Sequence, residues 1–331
     1  EPTDENLLLP AFRYGTSEFL KAIGASKVVI GVSGGIDSAV NAALYRSILP
    51  AENILLVNTP TRYNSELTKG LAAELAKNLG CQLLTVPIGD FIDETADALE
   101  GLPLPDDTVH LTGFMKENMQ ARDRSSRILA ALSAAFGGIF TCNANKTETT
   151  VGYGTLYGDL AGAFAATADL WKYQIYDLGR KLNAWYGRAV IPEGIFTVMP
   201  SAELSENQDV TQGKGDPLIY EYHDYLFRSF IEPWQRQTPE DILKAYAKGN
   251  LEDLIGCSII VSNIFPTAKD FIEDLEKWWN LFSGFAVAKR IQTPPLLAVS
   301  RRPYGYDLRE SQLRPYYTDA YLSLKEKLLA D

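Results

Sequence analysis

The stretch from Val28 to Ala39 constrains this chain more than any other. It is an apolar run, then a glycine turn, then the start of a helical repeat. Val28 to Val32 reads as a strand buried on both faces, as strands of parallel sheets are. Ser33-Gly34-Gly35 turns the chain with no Cβ at two positions, so the backbone can come close to a ligand. Ile36, Val40, Ala43 and Leu44 follow at helical spacing. A strand feeding a glycine loop that opens a helix aims free N–H groups and the helix dipole at one point, which suits a phosphate. The spacing is neither that of the Walker loop nor GxGxxG. The hydroxyls of Ser33 and Ser38 can donate to phosphate oxygens. Asp37 disfavours a bare phosphate, so the loop implies Mg2+ between the two. An ordinary strand–turn–helix joint is the alternative.

The flanking sequence repeats the alternation. Residues 5–23 form an amphipathic helical pattern, with Leu8, Phe12, Phe19 and Leu20 among its apolar positions. Residues 53–58 and 81–86 read as further strands. Between them Ser65 caps a helix whose Leu67, Leu71, Leu75 and Leu79 form a stripe, and Gly80 stops it. Strands alternating with helices at this spacing predict right-handed crossovers and a doubly wound parallel sheet, with ligands outside the carboxyl ends of its strands. Residues 101–112 are a proline-rich connection, and 114–136 read as one long helix with a polar first half and an apolar second half. Asn118 and Arg122 share a face of it, which is either a ligand face or a solvated one. Residues 138–142 are a fourth strand.

Asn145 is a natural N-cap with Glu148 three residues on, so Glu148 is either part of a capping box or a second carboxylate facing the crevice of Asp37. Gly152 to Asp159 reads as a loop shaped around something flat or extended. Lys172 opens the next helix, where a cation opposes the dipole; that points to an anion partner, with a solvated lysine as the alternative. After Pro192 the texture turns polar, and residues 206–215 look mobile. Residues 217–282 read as several helices rich in aromatics, which are usually core or interface.

With 331 residues the chain can build one large α/β domain or two ordinary ones. It has no apolar run of about 18 residues, so no membrane span is expected. A net charge of −11 argues against a nucleic-acid partner. Cys81, Cys142 and Cys257 are scattered, which suggests a reducing compartment and neither a zinc site nor a disulfide framework.

Taken together, the motifs resemble those of the NAD synthetases, a family of N-type ATP pyrophosphatases. They are Ser33-Gly-Gly-Ile-Asp-Ser38, Thr61-Arg-Tyr-Asn-Ser65, Glu117-Asn-Met-Gln-Ala-Arg122, Asn145-Lys-Thr-Glu148, Thr155-Leu-Tyr-Gly-Asp159, Asp169-Leu-Trp-Lys172, Pro200-Ser-Ala-Glu-Leu204 and Ala288-Lys-Arg290. They run in this order through nearly the whole chain. The region after Pro200 looks most like the synthetase domain of glutamine-dependent members. The resemblance implies an adenine nucleotide alpha hydrolase-like core over residues 1–200 and a helical extension over 201–331. It implies ATP-dependent amidation of deamido-NAD by ammonia through an acyl-adenylate, giving NAD, AMP and pyrophosphate. A glutaminase domain or subunit would lie elsewhere. For ATP it implies Gly31, Ser33, Gly34, Gly35, Asp37, Ser38, Asn143, Lys172 and Ser201, although Asn143 stands where the family often has threonine. It implies Asp37 and Glu148 for Mg2+, and Asp37 and Lys172 as catalytic groups. It implies Asn118, Arg122, Glu148, Tyr153 and Lys289 for deamido-NAD. A cytoplasmic homodimer is the implied setting. The alternatives are another N-type pyrophosphatase ligase or an inactive nucleotide-binding homologue.

Overall fold

The computed structural model describes residues 7–201, 203–205, 210–304 and 315–330. The apolar runs form β1 (Val28–Gly31), β2 (Ile54–Asn58), β3 (Gln82–Thr85) and β4 (Ile139–Phe140). They pair in parallel in the order β3-β2-β1-β4, with Val28 opposite both Ile54 and Ile139. Around them lie α1 (Leu8–Ala22), α2 (Ile36–Arg46), α3 (Glu66–Leu79), α4 (Gly89–Leu99), α5 (Gly113–Arg122), α6 (Ala130–Phe136), α7 (Lys146–Val151), α8 (Lys172–Trp185) and α9 (Glu193–Thr197).

Side-chain alternation explains the two covered faces. Val28, Ile30, Ile54 and Leu56 point to a core shared with α1, α2, α3 and α8. Val29, Leu55 and Val57 point the other way, to Ile88, Ile128 and Leu129. The fold is therefore α/β, with helices on both sides of a parallel sheet. The strand order grows outward from β1 through β2 to β3, and then β4 returns to the other flank of β1. That reversal opens a crevice at the carboxyl ends of β1 and β4, where open sheets of this type bind ligands.

Two expectations need correction. The helix expected over 114–136 is interrupted: Asp123–Leu129 is π-helical and separates α5 from α6. The wider turn shifts the polar half out of register with the apolar half, whose Leu129 packs against β1. A Cβ on Gly31 would lie 3.2 Å from Leu129 Cδ1. Leu67 is 50% exposed, because a row of every fourth residue winds off the buried face of a helix with 3.6 residues per turn; that face runs through Thr68, Leu71, Ala72, Leu75, Ala76 and Leu79. Helix α4 carries only Ile92 and Ala96 as buried positions and left little periodic signal.

A second core lies beyond, in α10 (Tyr220–Ile231), α11 (Pro239–Lys248), α12 (Leu251–Ile255), α13 (Val261–Ile264), α14 (Ala268–Ser283), α15 (Ala286–Gln292) and α16 (Asp319–Ala330). Trp278 is buried at its centre, whereas Trp234 is exposed and lies under the Arg301 guanidinium, 4.7 Å from the ring. His223 is a structural histidine: Nδ1 accepts the Ile219 N–H at 2.8 Å and Nε2 lies 3.0 Å from Asp274. Of the stretch expected to be mobile, 206–209 lies outside the described residues, and Val210–Gln212 forms one 3₁₀ turn. No helix among the described residues is long and apolar enough to cross a membrane.

A buried ionic knot joins the two cores. Lys146 Nζ donates to Ser300 Oγ (2.7 Å) and pairs with Asp169 (3.0 Å) and Glu232 (2.9 Å); the Lys146 and Asp169 side chains have no solvent exposure. Asp169 also accepts the N–H groups of Val299 and Ser300, and Trp171 Nε1 donates to Glu232. Removing Lys146 would leave Asp169, which has no solvent exposure, without an ion-pair partner among the described residues, and Glu232 with only the longer Arg228 contact at 3.5 Å. Lys146→Met should therefore lower stability by about 3–5 kcal/mol in urea unfolding. Trp171→Phe, which loses one hydrogen bond to a charged group, should cost about 1.5–3 kcal/mol.

Candidate active site

The glycine loop forms as its residues require. Gly34 has φ +91, and a Cβ there would lie 2.2 Å from Thr68 O, so only glycine fits. The loop braces itself: Gly35 N donates to Ser33 Oγ (3.2 Å), Ser33 N to Ser38 Oγ (3.3 Å), and Ser38 Oγ to Gly35 O (3.0 Å). Ser38 is buried and its proton is committed to the loop, so it shapes the turn before it can serve a ligand. Asn143, at the end of β4, donates to Gly31 O (2.9 Å) and ties the two strand ends together.

Asp37 stands in the first turn of α2. Its Oδ2 accepts from Lys172 Nζ at 2.6 Å, and its Oδ1 accepts from Asn145 Nδ2 at 2.8 Å. Glu148 gives its backbone N–H to Asn145 Oδ1 (3.0 Å), while its carboxylate turns to Lys172 Nζ at 3.3 Å. Asn145 thus caps α7 and also joins it to Asp37. Lys172 is 3% exposed, so the solvated reading of this lysine falls; the two carboxylates are its partners. The Tyr220 ring lies 4.7 Å from the ammonium, and its hydroxyl donates to Asp216 (2.9 Å).

The dipole conflict at α8 is resolved by a residue from the helical region. Asp224, fully buried on α10, accepts the Tyr173 N–H (2.9 Å) and the Thr147 hydroxyl, and Thr147 Oγ1 accepts the Lys172 N–H (3.0 Å). The N-terminus of α8 therefore meets a buried anion, and the Lys172 side chain is left to the crevice. Burial pushes the Asp224 carboxyl up to about 6 despite these hydrogen bonds.

Gly31, Ser33, Gly35, Asp37, Ser38, Asn143, Glu148, Tyr153, Lys172 and Ser201 line one cleft. Asn118, Arg122 and Lys289 do not line it. They hold the 152–159 loop from outside: Asn118 Oδ1 accepts the Thr155 hydroxyl (2.8 Å), Arg122 Nε donates to Leu156 O (3.1 Å), and Lys289 Nζ donates to Gly152 O (2.6 Å). Tyr153 reaches across to Asp216 at 3.0 Å. The sequence reading missed Asp216, Tyr220, Asp224 and Glu203. Glu203 is 2% exposed at φ +46 and accepts from Thr68 Oγ1 (2.7 Å) and Ser65 N (3.1 Å), which ties the Ser201 segment to α3. Its place in the Pro200–Leu204 motif was the one available signal.

Charge decides the protonation of this site. Burial pushes Glu148 up to about 8 against the pull of Lys172, with Asp37 and Asp216 adding to the rise. Burial alone would lower Lys172, but Asp37 and Glu148 outweigh it and keep the ammonium charged.

Known proteins resemble this chain in sequence and fold. The NAD synthase family model matches residues 13–255. The glutamine-dependent NAD(+) synthetase of Thermotoga maritima is 38% identical over 244 residues, which is 73% of this chain and 40% of that protein. A glutamine-dependent NAD(+) synthetase from Cytophaga hutchinsonii superposes with a TM-score of 0.71 at 17% identity, over 98% of this chain and 56% of that one, and shares the fold. One from Acinetobacter baumannii, solved in complex with ADP, gives 0.51 at 25% identity over 92% and 48%. The chain spans half or less of the length of the curated relatives it matches.

The Glu148 environment carries a stability consequence. Between its ordinary value of 4.5 and about 8, the folded protein holds a proton that the unfolded chain has released. Stability must therefore fall as pH rises through that window. Glu148→Gln abolishes this titration. Urea unfolding at pH 5 and pH 8 should show the variant gaining at least about 1 kcal/mol on wild type between the two. Parallel pH profiles would show that Glu148 is ionised throughout.

Proposed function

This chain belongs to the NAD synthase family, and we propose that it amidates deamido-NAD with ATP and ammonia through an acyl-adenylate. The observation that carries the reading is the Lys172 ammonium held between Asp37 and Glu148, beside a glycine loop at the reversal of strand order.

A carboxylate is a poor electrophile, so amide formation needs its oxygen attached to a good leaving group. The nicotinate carboxylate attacks the α-phosphorus of ATP and pyrophosphate departs. Ammonia then attacks the acyl carbon and AMP departs with that oxygen. The N–H groups of the opening turn of α2, beside the glycine loop, suit the pyrophosphate. Lys172 offsets the charge that grows as pyrophosphate leaves, with Ser201 and Asn143 holding ATP. Asn118, Arg122, Tyr153 and Lys289 are assigned to deamido-NAD, around the 152–159 loop. Catalysis is then mostly positioning and electrostatics, with no protein nucleophile.

Mg2+ fits the side chains present. Five carboxylates and two cations line the cleft, an unfavourable lining for anionic substrates without added positive charge. Asp37 and Glu148 are the hard oxygen donors that would hold it, and Mg2+ commonly takes only one or two carboxylates besides water and phosphate oxygens. Bound there, it would offset charge on the triphosphate.

The proposal extends to a homodimer in the cytoplasm, where the free, buried Cys81, Cys142 and Cys257 suit a reducing medium. It also takes residues 1–200 as the nucleotide-binding core and 201–331 as its helical extension.

Incubation with deamido-NAD, Mg·ATP and ammonia should give equimolar NAD, AMP and pyrophosphate. Asp37→Asn should lower kcat by about a hundredfold or more while circular dichroism stays unchanged. No NAD with ammonia would sink the reading, and a normal rate for Asp37→Asn would remove that residue from the chemistry.

A further inference from the structure

Arg124 is a cation in the cleft with no ion-pair partner among the described residues. It stands on the π-helical turn Asp123–Leu129 and lines the same cavity as the glycine loop. Its Nε is buried without an acceptor, and its Nη2 reaches one neutral oxygen, Asn64 Oδ1, at 3.3 Å. Among the described residues no carboxylate lies within ion-pair distance of it. The acids that attract it from further off are engaged elsewhere: Asp123 pairs with Arg127, Asp159 accepts the Thr155 N–H, and Glu203 accepts from Thr68, Ser65 and Asn64. Burial accordingly pulls the guanidinium below its ordinary pKa. Lys172 and Lys146, by contrast, each hold two carboxylates.

A shielded guanidinium without a counter-charge is destabilising, and such arrangements persist where a ligand offsets them. Its planar fork of N–H donors matches a phosphate better than any other side chain. Its position favours that ligand. Asn64, its one partner, shares Glu203 with Thr68, and Thr68 O backs the Gly34 turn so closely that no Cβ fits between. Arg124 is thus linked through Asn64 and Glu203 to Thr68, which backs the phosphate loop. We propose that Arg124 binds an anionic phosphate oxygen of the nucleotide held in this cleft. The inference rests on reading the cleft as a nucleotide site.

The test compares wild type with Arg124→Met and Arg124→Lys. Without ligand, Arg124→Met should melt at the wild-type temperature or above it, because an uncompensated charge has been removed. Mg·ATP should raise the wild-type melting temperature and raise that of Arg124→Met far less. The KM for ATP should rise about tenfold or more in Arg124→Met, with part of the loss recovered in Arg124→Lys. An Arg124→Met protein that melts lower and keeps the wild-type response to ATP would overturn the proposal, since that marks a structural residue. Equal loss of adenosine and ATP binding would overturn the phosphate assignment. If wild type makes no NAD with ammonia, the functional reading fails on its own, and the ATP melting shifts still decide the role of Arg124.

Discussion

The site depends on one buried ammonium. Asp37 and Glu148 stand beyond the carboxyl ends of two neighbouring strands, and in a low-dielectric crevice they would repel each other strongly. Lys172 between them makes that pair of positions tenable. The lysine is itself placed at a helix start, where its charge is unfavourable, and Asp224 compensates from another helix. The crevice and the helical region are therefore parts of one electrostatic arrangement. The helical region supplies the anion at α8, the Tyr220 ring beneath the ammonium, and Glu232 of the buried knot.

Local chemistry was legible in the sequence wherever partners lie close along the chain. Ser65 caps α3 through Thr68, Gly80 ends it in the left-handed region, and Asn145 caps α7, all within four residues. The apolar runs announced the parallel strands because such strands are buried on both sides. Partners far apart were not legible in this way. Lys172 meets Asp37 across 135 residues, and Asp224 meets Tyr173 across 51. Spacing could not decide the role of Glu148 either, because a cap and a crevice carboxylate require the same position. The structure separates the two: the backbone N–H serves the cap and the carboxylate faces Lys172. The π-helical turn escaped because its residues are ordinary helix residues, and only packing against β1 and the 152–159 loop selects the wider turn.

The 152–159 loop is a wall shared by two environments. Tyr153 faces the cleft, while Arg122 and Lys289 grip the backbone and Asn118 holds the Thr155 hydroxyl. Two helices distant in sequence, α5 and α15, thus fix one loop, and Asp159 locks its end by accepting the Thr155 N–H. A ligand on either side would meet a surface already held in shape, so little ordering would be required on binding.

The buried knot also bears on how the chain is made. Lys146 and Ser300 are 154 residues apart, and Glu232 comes in between. During synthesis, α7 emerges with a lysine whose acceptors do not yet all exist. Residues as far as Ser300 have to be made before the knot can close around that helix, and Glu148 sits two residues along it. A product interrupted before Glu232 would carry Lys146 with only one of its two carboxylates.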